Sequence, residues 1–220
     1  MERSGPFRLK VSGRNACFTR LEMKVERVSY DVMTPSAARG ILEAILWKPA
    51  IRWRILRIDV LNPVKWESVR RNEVGAVVPA GSVKTAMKRG RGNLGLYVEK
   101  ERQQRAGLFL RDVAYVIHGE FELTKAAGDS DSVVKFTEMF VRRASNGQCF
   151  HRPYFGCREF PVCFEFIPKD ADGPEPIGES RDLGWMLYDL DYSGEEPMPQ
   201  FFYAKLVNGS LDLREVEVRS

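Results

Sequence analysis

The segment from Thr34 to Pro49 constrains the fold most, because it reads as an amphipathic helix placed between two strands. Thr34 is a suitable N-cap, and Pro35 suits the first helical position. Four apolar residues follow at helical spacing, namely Ala38, Ile41, Leu42 and Ile45. Pro49 predicts the end of the helix. Gly40 costs roughly 1 kcal/mol relative to alanine, which indicates close approach to a sheet or a ligand at that turn.

Strand patterns flank this helix. In PFRLKVSG, apolar Phe7, Leu9 and Val11 alternate with polar residues, which predicts a half-buried strand with a basic outer face. A second strand runs through IRWRILRIDVLN, although its alternation slips. Two more are predicted in RDVAYVIHGEFELTK and FPVCFEFIP, with a helix capped by Asp129 or Ser130 between them.

The order of these elements predicts an α+β, ferredoxin-like domain over residues 1–167. Residues 63–105 interrupt it with ten basic and four acidic residues, and we interpret them as a long basic hairpin or loop insertion. Residues 168–220 are acidic, and we interpret them as a small antiparallel β appendage of two strands.

Both helices of such a domain cover one face of the sheet, so the other face should be free. Strand alternation places five polar residues there, namely Arg8, Lys10, His118, Glu120 and Glu165. The aromatic pair that stacks bases on RNA-recognition sheets is missing, so base stacking on this face is not predicted.

Charge divides the chain in two. Residues 1–105 carry 22 Lys and Arg against 10 Asp and Glu, whereas residues 106–220 carry 12 against 20. This asymmetry is typical of a protein that binds a polyanion with one half, although an accidental distribution of solvated charge would look the same.

Membrane and metal classes receive no support from the sequence. There is no run of 18 apolar residues, and MERSGPFRLK lacks the apolar core of a signal peptide, so we expect a cytoplasmic protein. The four cysteines form no CxxC pair, and a zinc site would need His151 at an unusual spacing. The sequence predicts no metal and no cofactor.

Five blocks along the chain resemble a known family. SGRNACFTR, VERVSYDVMTPSAARGILEAILWKPAIRW, VRRNEVG, GQCFHRPYFGCREFP and DLGWMLYDLDY are similar, in that order, to the Cas-five family of type I-C (Dvulg subtype) CRISPR systems. The resemblance implies a ferredoxin-like RAMP protein that cuts the CRISPR repeat RNA beside a stem-loop without a metal ion. It also implies that the protein keeps the 5′ handle of the crRNA within the Cascade complex, beside its backbone and large subunits, and meets target DNA only indirectly.

The family's active residues transfer only in part. They are a tyrosine at the end of the first helix, where this chain has Leu46, and a lysine and a histidine on the strand that here reads VAYVIHGEFEL. His118 is the chemically equivalent group that remains. It could instead bond Glu120 or Glu122 in a purely structural role.

Metal-free RNA cleavage needs a base, an acid and a cation. We predict His118 as the acid or base and Lys48 as the cation, with Arg52 as an alternative and ordinary solvation at a helix end as the simpler interpretation. Tyr30 is preferred over Tyr115 as a replacement for the missing tyrosine, because strand parity places Tyr115 in the core.

The predicted RNA-binding residues are basic. They are Arg8, Lys10, Arg20, Lys24, Arg27, Lys48, Arg52, Arg70, Arg71, Lys84, Lys88, Arg89, Arg91, Arg152 and Arg158. His151 could also touch RNA or be structural, and the ring of Trp47 is expected to pack in the core, with RNA contact as the alternative.

Three functions are consistent with the sequence. The first is an endoribonuclease that retains its product, the second a non-catalytic subunit that holds the crRNA handle, and the third a basic protein-interaction module without RNA.

Overall fold

The computed structural model describes residues 3–23 and 25–220. Within these residues there are nine strands and three α-helices, with a short 3-10 helix at Leu21–Met23. They are β1 (Phe7–Ala16), α1 (Pro35–Ile45), β2 (Ile51–Val60), β3 (Trp66–Val74), α2 (Ala80–Arg89), β4 (Arg102–Leu123), α3 (Val133–Ser145), β5 (Cys163–Ile167), β6 (Arg181–Asp191), β7 (Met198–Leu206), β8 (Ser210–Asp212) and β9 (Val218–Arg219).

The main sheet is antiparallel and has the order β5-β1-β4-β2-β8, with β3 paired to the first half of β4. This arrangement is a mixed α and β fold with antiparallel sheets. The apolar face of β1 is buried as its alternation predicts, because Phe7, Leu9 and Val11 all enter the core.

Helices α1 and α3 pack on that apolar face. The ring of Phe140 on α3 lies 4.8 Å from those of Phe7 and Trp53, between centroids. Leu42 on α1 reaches Gly119 of β4 so closely that a side-chain carbon there would stand 2.6 Å from its Cδ1 atom. The two helices therefore leave the other face of the sheet to polar residues.

The helix boundaries differ slightly from the predicted ones. Thr34 caps α1 as predicted, since its hydroxyl accepts a hydrogen bond from the backbone N–H of Ala37. The helix ends at Ile45, before Pro49, because Leu46 already has extended backbone angles. Helix α3 is capped by Ser132 rather than by Asp129 or Ser130, since the Ser132 hydroxyl accepts from the N–H of Lys135.

A β-bulge explains the slipped alternation in β2. The register with β4 shifts between Ile55 and Arg57. Because a bulge adds one residue to one strand, buried side chains change parity across it. Ile55 and Ile58 both face the core, and Arg57 and Asp59 come to share the opposite face.

The predicted basic insertion forms a hairpin that carries an exposed helix. Strand β3 pairs with residues 102–110 of β4, and α2 follows β3 with none of its residues buried. Strand β4 is 22 residues long and continues from this hairpin into the main sheet, where it lies between β1 and β2.

The C-terminal region contains four strands rather than the two predicted. Strands β6, β7 and β9 form a second antiparallel sheet, and β8 joins the edge of the main sheet beside β2. Phe202, Leu206 and Leu211 from this region belong to the same hydrophobic core as β1 and α1.

Within the described part of the chain, no helix combines the length and the apolar character that a membrane crossing requires.

Candidate acid–base site and nucleic-acid interface

His118 has a buried carboxylate as its partner. Strand pairing places it opposite Arg57 of β2 and Arg8 of β1. Its Nε2 atom lies 2.7 Å from Oδ2 of Asp59, whose residue is only 3% exposed. Glu120 and Glu122, the structural partners considered from the sequence, are not the groups that bond it.

Two more groups hold the Asp59 carboxylate in place. The Ser210 hydroxyl donates to Oδ1 at 2.7 Å, and Arg57 approaches the same oxygen through Nε at 3.0 Å. Burial alone would raise the pKa of Asp59, but the hydrogen bonds from His118 and Ser210 and the nearby positive charges outweigh it and hold this pKa below its usual value. Asp59 is therefore an anion at neutral pH.

The anionic partner fixes the imidazole tautomer. A carboxylate can only accept hydrogen bonds, so Nε2 carries the ring proton and donates the hydrogen bond to Asp59. The guanidinium of Arg57 lies 3.1 Å from Nε2. It can only donate hydrogen bonds, so it does not bond the protonated Nε2 and donates to Asp59. Nδ1 is left as the imidazole nitrogen available to a ligand.

A small cavity gives access to this histidine. Its volume is about 320 Å³, and its lining includes His118, Arg8 and Lys169. The guanidinium of Arg8 donates to the backbone carbonyls of Pro168 and Ala171, which fixes it at the rim. An acid–base group and two cations thus border one opening.

The three predicted catalytic residues do not come together. Tyr30 was predicted to take part in catalysis, but it is buried, with 2% of its surface exposed. Its backbone N–H donates to the carbonyl of Phe18, which lies beyond the end of β1. His118 pairs with Arg8 near the start of β1. Arg8 and Ala16, the last residue of β1, are eight residues apart, which at 3.3 Å per residue is roughly 26 Å along the strand, and Phe18 lies beyond that end. Burial also raises the pKa of Tyr30, and the structure does not bring its side chain to His118.

Lys48 also lies away from His118. Its carbonyl accepts from the N–H of Ile51, which pairs with Leu123. Leu123 is five residues beyond His118 on β4, so the two sites are roughly 16 Å apart along the strand. Lys48 is exposed at the end of α1 and can contact RNA there.

The family's tyrosine position is part of the core. Leu46 is fully buried, and its carbonyl accepts a hydrogen bond from Nε1 of Trp53 at 2.8 Å. Gly119 also faces inwards, towards Leu42 of α1. Neither residue presents a reactive group to the His118 side of the sheet.

The expectation that Trp47 packs in the core was wrong. Its side chain is 59% exposed, and Trp53 on β2 fills the aromatic core instead. Phe150, which is 86% exposed, also lies near the end of α1, because its backbone N–H donates to the carbonyl of Ala44. Two exposed aromatic rings therefore flank the end of α1.

The sheet face opposite the helices is less free than predicted, because its charges pair across neighbouring strands. Lys10 lies 3.5 Å from Glu165, and Glu120 lies 3.6 Å from both Arg3 and Arg54. This face is a network of ion pairs around His118, not an open platform.

The predicted RNA-binding residues fall into two groups. Four of them are paired with carboxylates, namely Lys10, Arg20, Arg27 and Arg71. Within the described part of the chain, nine others have no carboxylate oxygen within 4 Å and are exposed: Lys48, Arg52, Arg70, Lys84, Lys88, Arg89, Arg91, Arg152 and Arg158. Arg8 bonds carbonyls, and Lys24 lies outside the described residues.

The exposed group concentrates on the insertion. Residues 75–98 contain four basic and no acidic residues. Lys84 and Lys88 are one helical turn apart on α2, and Arg89 and Arg91 follow at its end. A solvated cationic helix without neighbouring carboxylates suits a phosphate backbone.

Sequence reasoning missed Asp59, Arg57 and Ser210. A lone aspartate in the otherwise apolar end of IRWRILRIDV was the available signal, since carboxylates are rarely buried unless they are paired. Its pairing with His118 depends on strand register across 59 residues, which no local pattern reveals.

Comparison with known proteins identifies close relatives. The family model for Cas_Cas5d, a CRISPR-associated protein (Cas_Cas5), matches residues 7–214. The chain is 52% identical over 213 residues to a protein of Mannheimia succiniciproducens named CRISPR pre-crRNA endoribonuclease Cas5d, covering 94% of this chain and 93% of the relative. A Thermus thermophilus protein of the same name is 42% identical over 204 residues, covering 93% and 81%.

Solved structures share the fold. A crystal structure of a CRISPR-associated protein superposes with a TM-score of 0.72 at 22% identity, covering 100% of this chain and 99% of that one. A functionally uncharacterized protein from Streptococcus mutans gives a TM-score of 0.71 at 20% identity, with both chains covered fully, at 100%.

Proposed function

The chain belongs to the Cas5d family of CRISPR-associated proteins of type I-C, and on this basis we propose that it cleaves CRISPR repeat RNA and retains the 5′ handle of the crRNA. Its relatives from Mannheimia and Thermus are both named as pre-crRNA endoribonucleases. The observation in this chain that carries the proposal is the hydrogen bond from His118 to buried Asp59, beside a cavity bordered by Arg8 and Lys169.

We also propose that residues 1–167 form a ferredoxin-like domain, and the strand order supports this. In the strand–helix–strand–strand–helix–strand arrangement of that fold, the fourth strand lies beside the first and the third beside the second. The order β5-β1-β4-β2 has this form, with α1 and α3 on one face and β3 and α2 as an insertion. Residues 168–220 then form a β appendage that packs on the same core.

The proposed reaction is a metal-independent transesterification. The 2′-hydroxyl oxygen attacks the adjacent phosphorus and loses its proton, while the 5′-oxygen leaves and gains one. The products are a 2′,3′-cyclic phosphate and a 5′-hydroxyl. Nδ1 of His118 is the group proposed to take or give one of these protons, and the hydrogen bond to Asp59 orients the ring.

Cations supply the remaining requirements. Arg8 and Lys169 border the cavity and can stabilise negative charge on the phosphate. The exposed residues Lys84, Lys88 and Arg89 on α2 are proposed to hold the phosphates of the stem, and Lys48 those near the end of α1.

One observation favours a second function. Leu46 fills the position of the family's tyrosine and is fully buried, and no tyrosine replaces it beside His118 in the described residues. A protein that lacks this group could hold the crRNA handle as a non-catalytic subunit.

The C-terminal region is proposed to contact the backbone and large subunits of Cascade in the cytoplasm, and to meet target DNA only through that complex. Residues 168–220 carry 5 basic and 12 acidic residues, which would repel a phosphate backbone. Trp185, Tyr203 and Met198 are exposed there, and β6 has a partner strand on one edge only among the described residues. An exposed edge with aromatic residues suits a protein neighbour.

A cleavage assay tests the proposal. The purified protein is mixed in excess with labelled repeat RNA in EDTA, and an otherwise identical RNA with a 2′-deoxynucleotide at the cut site serves as the matched control. We expect cleavage of the first RNA only, with a 2′,3′-cyclic phosphate product. Activity that disappears with chelator would contradict the metal-independent mechanism.

Replacement of His118 distinguishes the two functions. His118→Ala is expected to lower the single-turnover rate about 10²- to 10⁴-fold and to leave RNA affinity within a few-fold. An undiminished rate would remove His118 from the mechanism. A wild-type protein that binds the RNA tightly and never cuts it would identify the non-catalytic subunit instead.

A further inference from the structure

A large cavity lies away from His118. It has a volume of about 520 Å³, which is in the range of roughly 300–1,000 Å³ typical of small-molecule sites. Helix α1 forms one wall, the segment 151–156 a second, and the end of β6 a third. Neither the acid–base site nor the basic insertion contributes to it.

Gly40 leaves a gap in the helical wall. A side-chain carbon at this position would meet no atom within 4 Å, so the backbone of α1 is bare towards the cavity. A glycine inside a helix costs roughly 1 kcal/mol relative to alanine. No strand or helix packs against it in the described structure, so close packing within the chain does not explain the residue. A ligand that lies against the helix would.

Aromatic rings form the facing wall. The His151 and Tyr154 rings both line the cavity, with centroids 6.5 Å apart and planes inclined by 31°. Phe150 stands outside, 6.2 Å from the His151 ring. Flat apolar faces beside a bare helix backbone suit a flat ligand, and nucleobases stack readily on such rings.

Polar groups are arranged around the space. Glu43 is three residues along α1 from Gly40 and offers carboxyl oxygens to the N–H groups at the edge of a base. Burial raises the pKa of this carboxyl; the charge of Arg39, 3.5 Å away, acts in the opposite direction, and the charge of Asp189 adds to the increase. The Ser36 hydroxyl also lines the cavity. Arg152, exposed beside His151, is placed to hold a flanking phosphate.

We propose that this cavity binds one unpaired nucleotide of the RNA, with its base between Gly40 of α1 and the rings of His151 and Tyr154. The inference rests on the proposed RNA-binding function and adds a site for one base to it. It also gives a role to Gly40 and to the GQCFHRPYFGCREFP segment, which the cleavage mechanism leaves unused.

Gly40→Leu fills the proposed site without disturbing the fold. Leucine is a strong helix former, and the space around residue 40 accepts its first carbon. The urea midpoint should therefore not fall. Gly178→Leu is the matched control, because an added side-chain carbon there also meets no atom within 4 Å, and Gly178 lies in the acidic C-terminal region, outside the proposed RNA contacts.

The experiment places 2-aminopurine at each unpaired position of the repeat RNA in turn. We expect one position to change its fluorescence on binding to the wild type and to the Gly178→Leu variant. With Gly40→Leu this change should be lost, and affinity should fall about 5- to 150-fold, as expected for one stacked base. His151→Ala, at an exposed position, should reduce both signals in the same direction.

The outcomes separate this inference from the proposed function. If the wild type binds no repeat RNA, the proposed function fails. If the wild type binds RNA and Gly40→Leu gives the same affinity and the same fluorescence change, the cavity is not a nucleotide site. Loss of binding to a protein partner with unchanged RNA binding would also overturn the inference.

Discussion

Replacing Asp59 with alanine is expected to destabilise the fold by about 3 kcal/mol. The carboxylate accepts from the Ser210 hydroxyl and His118 Nε2, both at 2.7 Å, and from Arg57 at 3.0 Å. Losing a neutral hydrogen bond costs about 1 kcal/mol, and a buried donor left without a partner costs about 1–3 kcal/mol. The imidazole of His118, 13% exposed, falls in this second class.

Arg57 contributes less to this sum. Its side chain is 42% exposed, so water can replace the carboxylate as its partner. The total is therefore near the lower end of the 3–5 kcal/mol measured when one member of a buried pair is removed.

Urea unfolding measures the loss directly. With a slope of about 1–3 kcal/mol per molar urea, a 3 kcal/mol loss lowers the midpoint by about 1–3 M. Asp212→Ala is the control, because Asp212 lies on the neighbouring strand β8 but pairs with Arg214 at the surface. Surface pairs contribute about 0–1 kcal/mol. Equal losses for the two variants would refute the view that the buried cluster stabilises the fold.

The same difference should depend on pH. The pKa of Asp59 is lower in the folded protein than its ordinary value of 3.8. A depressed folded pKa adds stability above the ordinary value, and this stability is lost as the pH falls through the folded pKa. The gap between wild type and Asp59→Ala should therefore be smaller at pH 3 than at pH 7, and a gap that widens in acid would contradict this reasoning.

Three further predictions concern other parts of the molecule. RNA affinity, measured by titration, should fall about 10³- to 10⁵-fold between 50 and 200 mM salt if six to ten phosphates are contacted, and replacing the basic residues of α2 with glutamine should flatten that slope; an unchanged slope would exclude α2. Trp53→Ala should cost about 3–5 kcal/mol in urea unfolding, whereas Trp47→Ala should stay within about 0.5 kcal/mol, and similar losses would contradict the placement of the two rings. Hydrogen bonding with the Cys17 thiol lowers the pKa of Cys157 to about 7, so iodoacetamide should label Cys157 at half its maximal rate near pH 7; peptide mapping that shows labelling only above pH 8 would refute this.

Local sequence patterns predicted most of the regular structure. The Thr34 cap with helical spacing up to Ile45 defined α1, and strict alternation defined β1. Even the slip in the pattern of β2 had a structural cause, since a bulge lies there. These features depend on residues near one another in the chain, so they are legible without a structure.

Features that depend on distant pairing were not legible. Trp47 and Trp53 are both plausible core residues by composition, and only the extended backbone at Leu46 turns Trp47 outwards. The partnership of His118 with Asp59 requires the register of β2 on β4, and Ser210 reaches it from β8. The sheet face was predicted to be open because strand alternation shows polarity and does not show which charges pair.

Strand β4 limits where the chain can tolerate changes of length. One continuous strand serves the hairpin with β3 and the pairing with β1 and β2. Because successive side chains point to opposite faces, one residue inserted between 112 and 117 would exchange the faces of Ile117 and His118 and put an imidazole into the core. The tip of the hairpin, residues 75–98, is under no such constraint, since the cost of lengthening a surface loop grows slowly. Length differences among natural homologues, and insertions made for engineering, should accumulate at that tip and be absent from the strand.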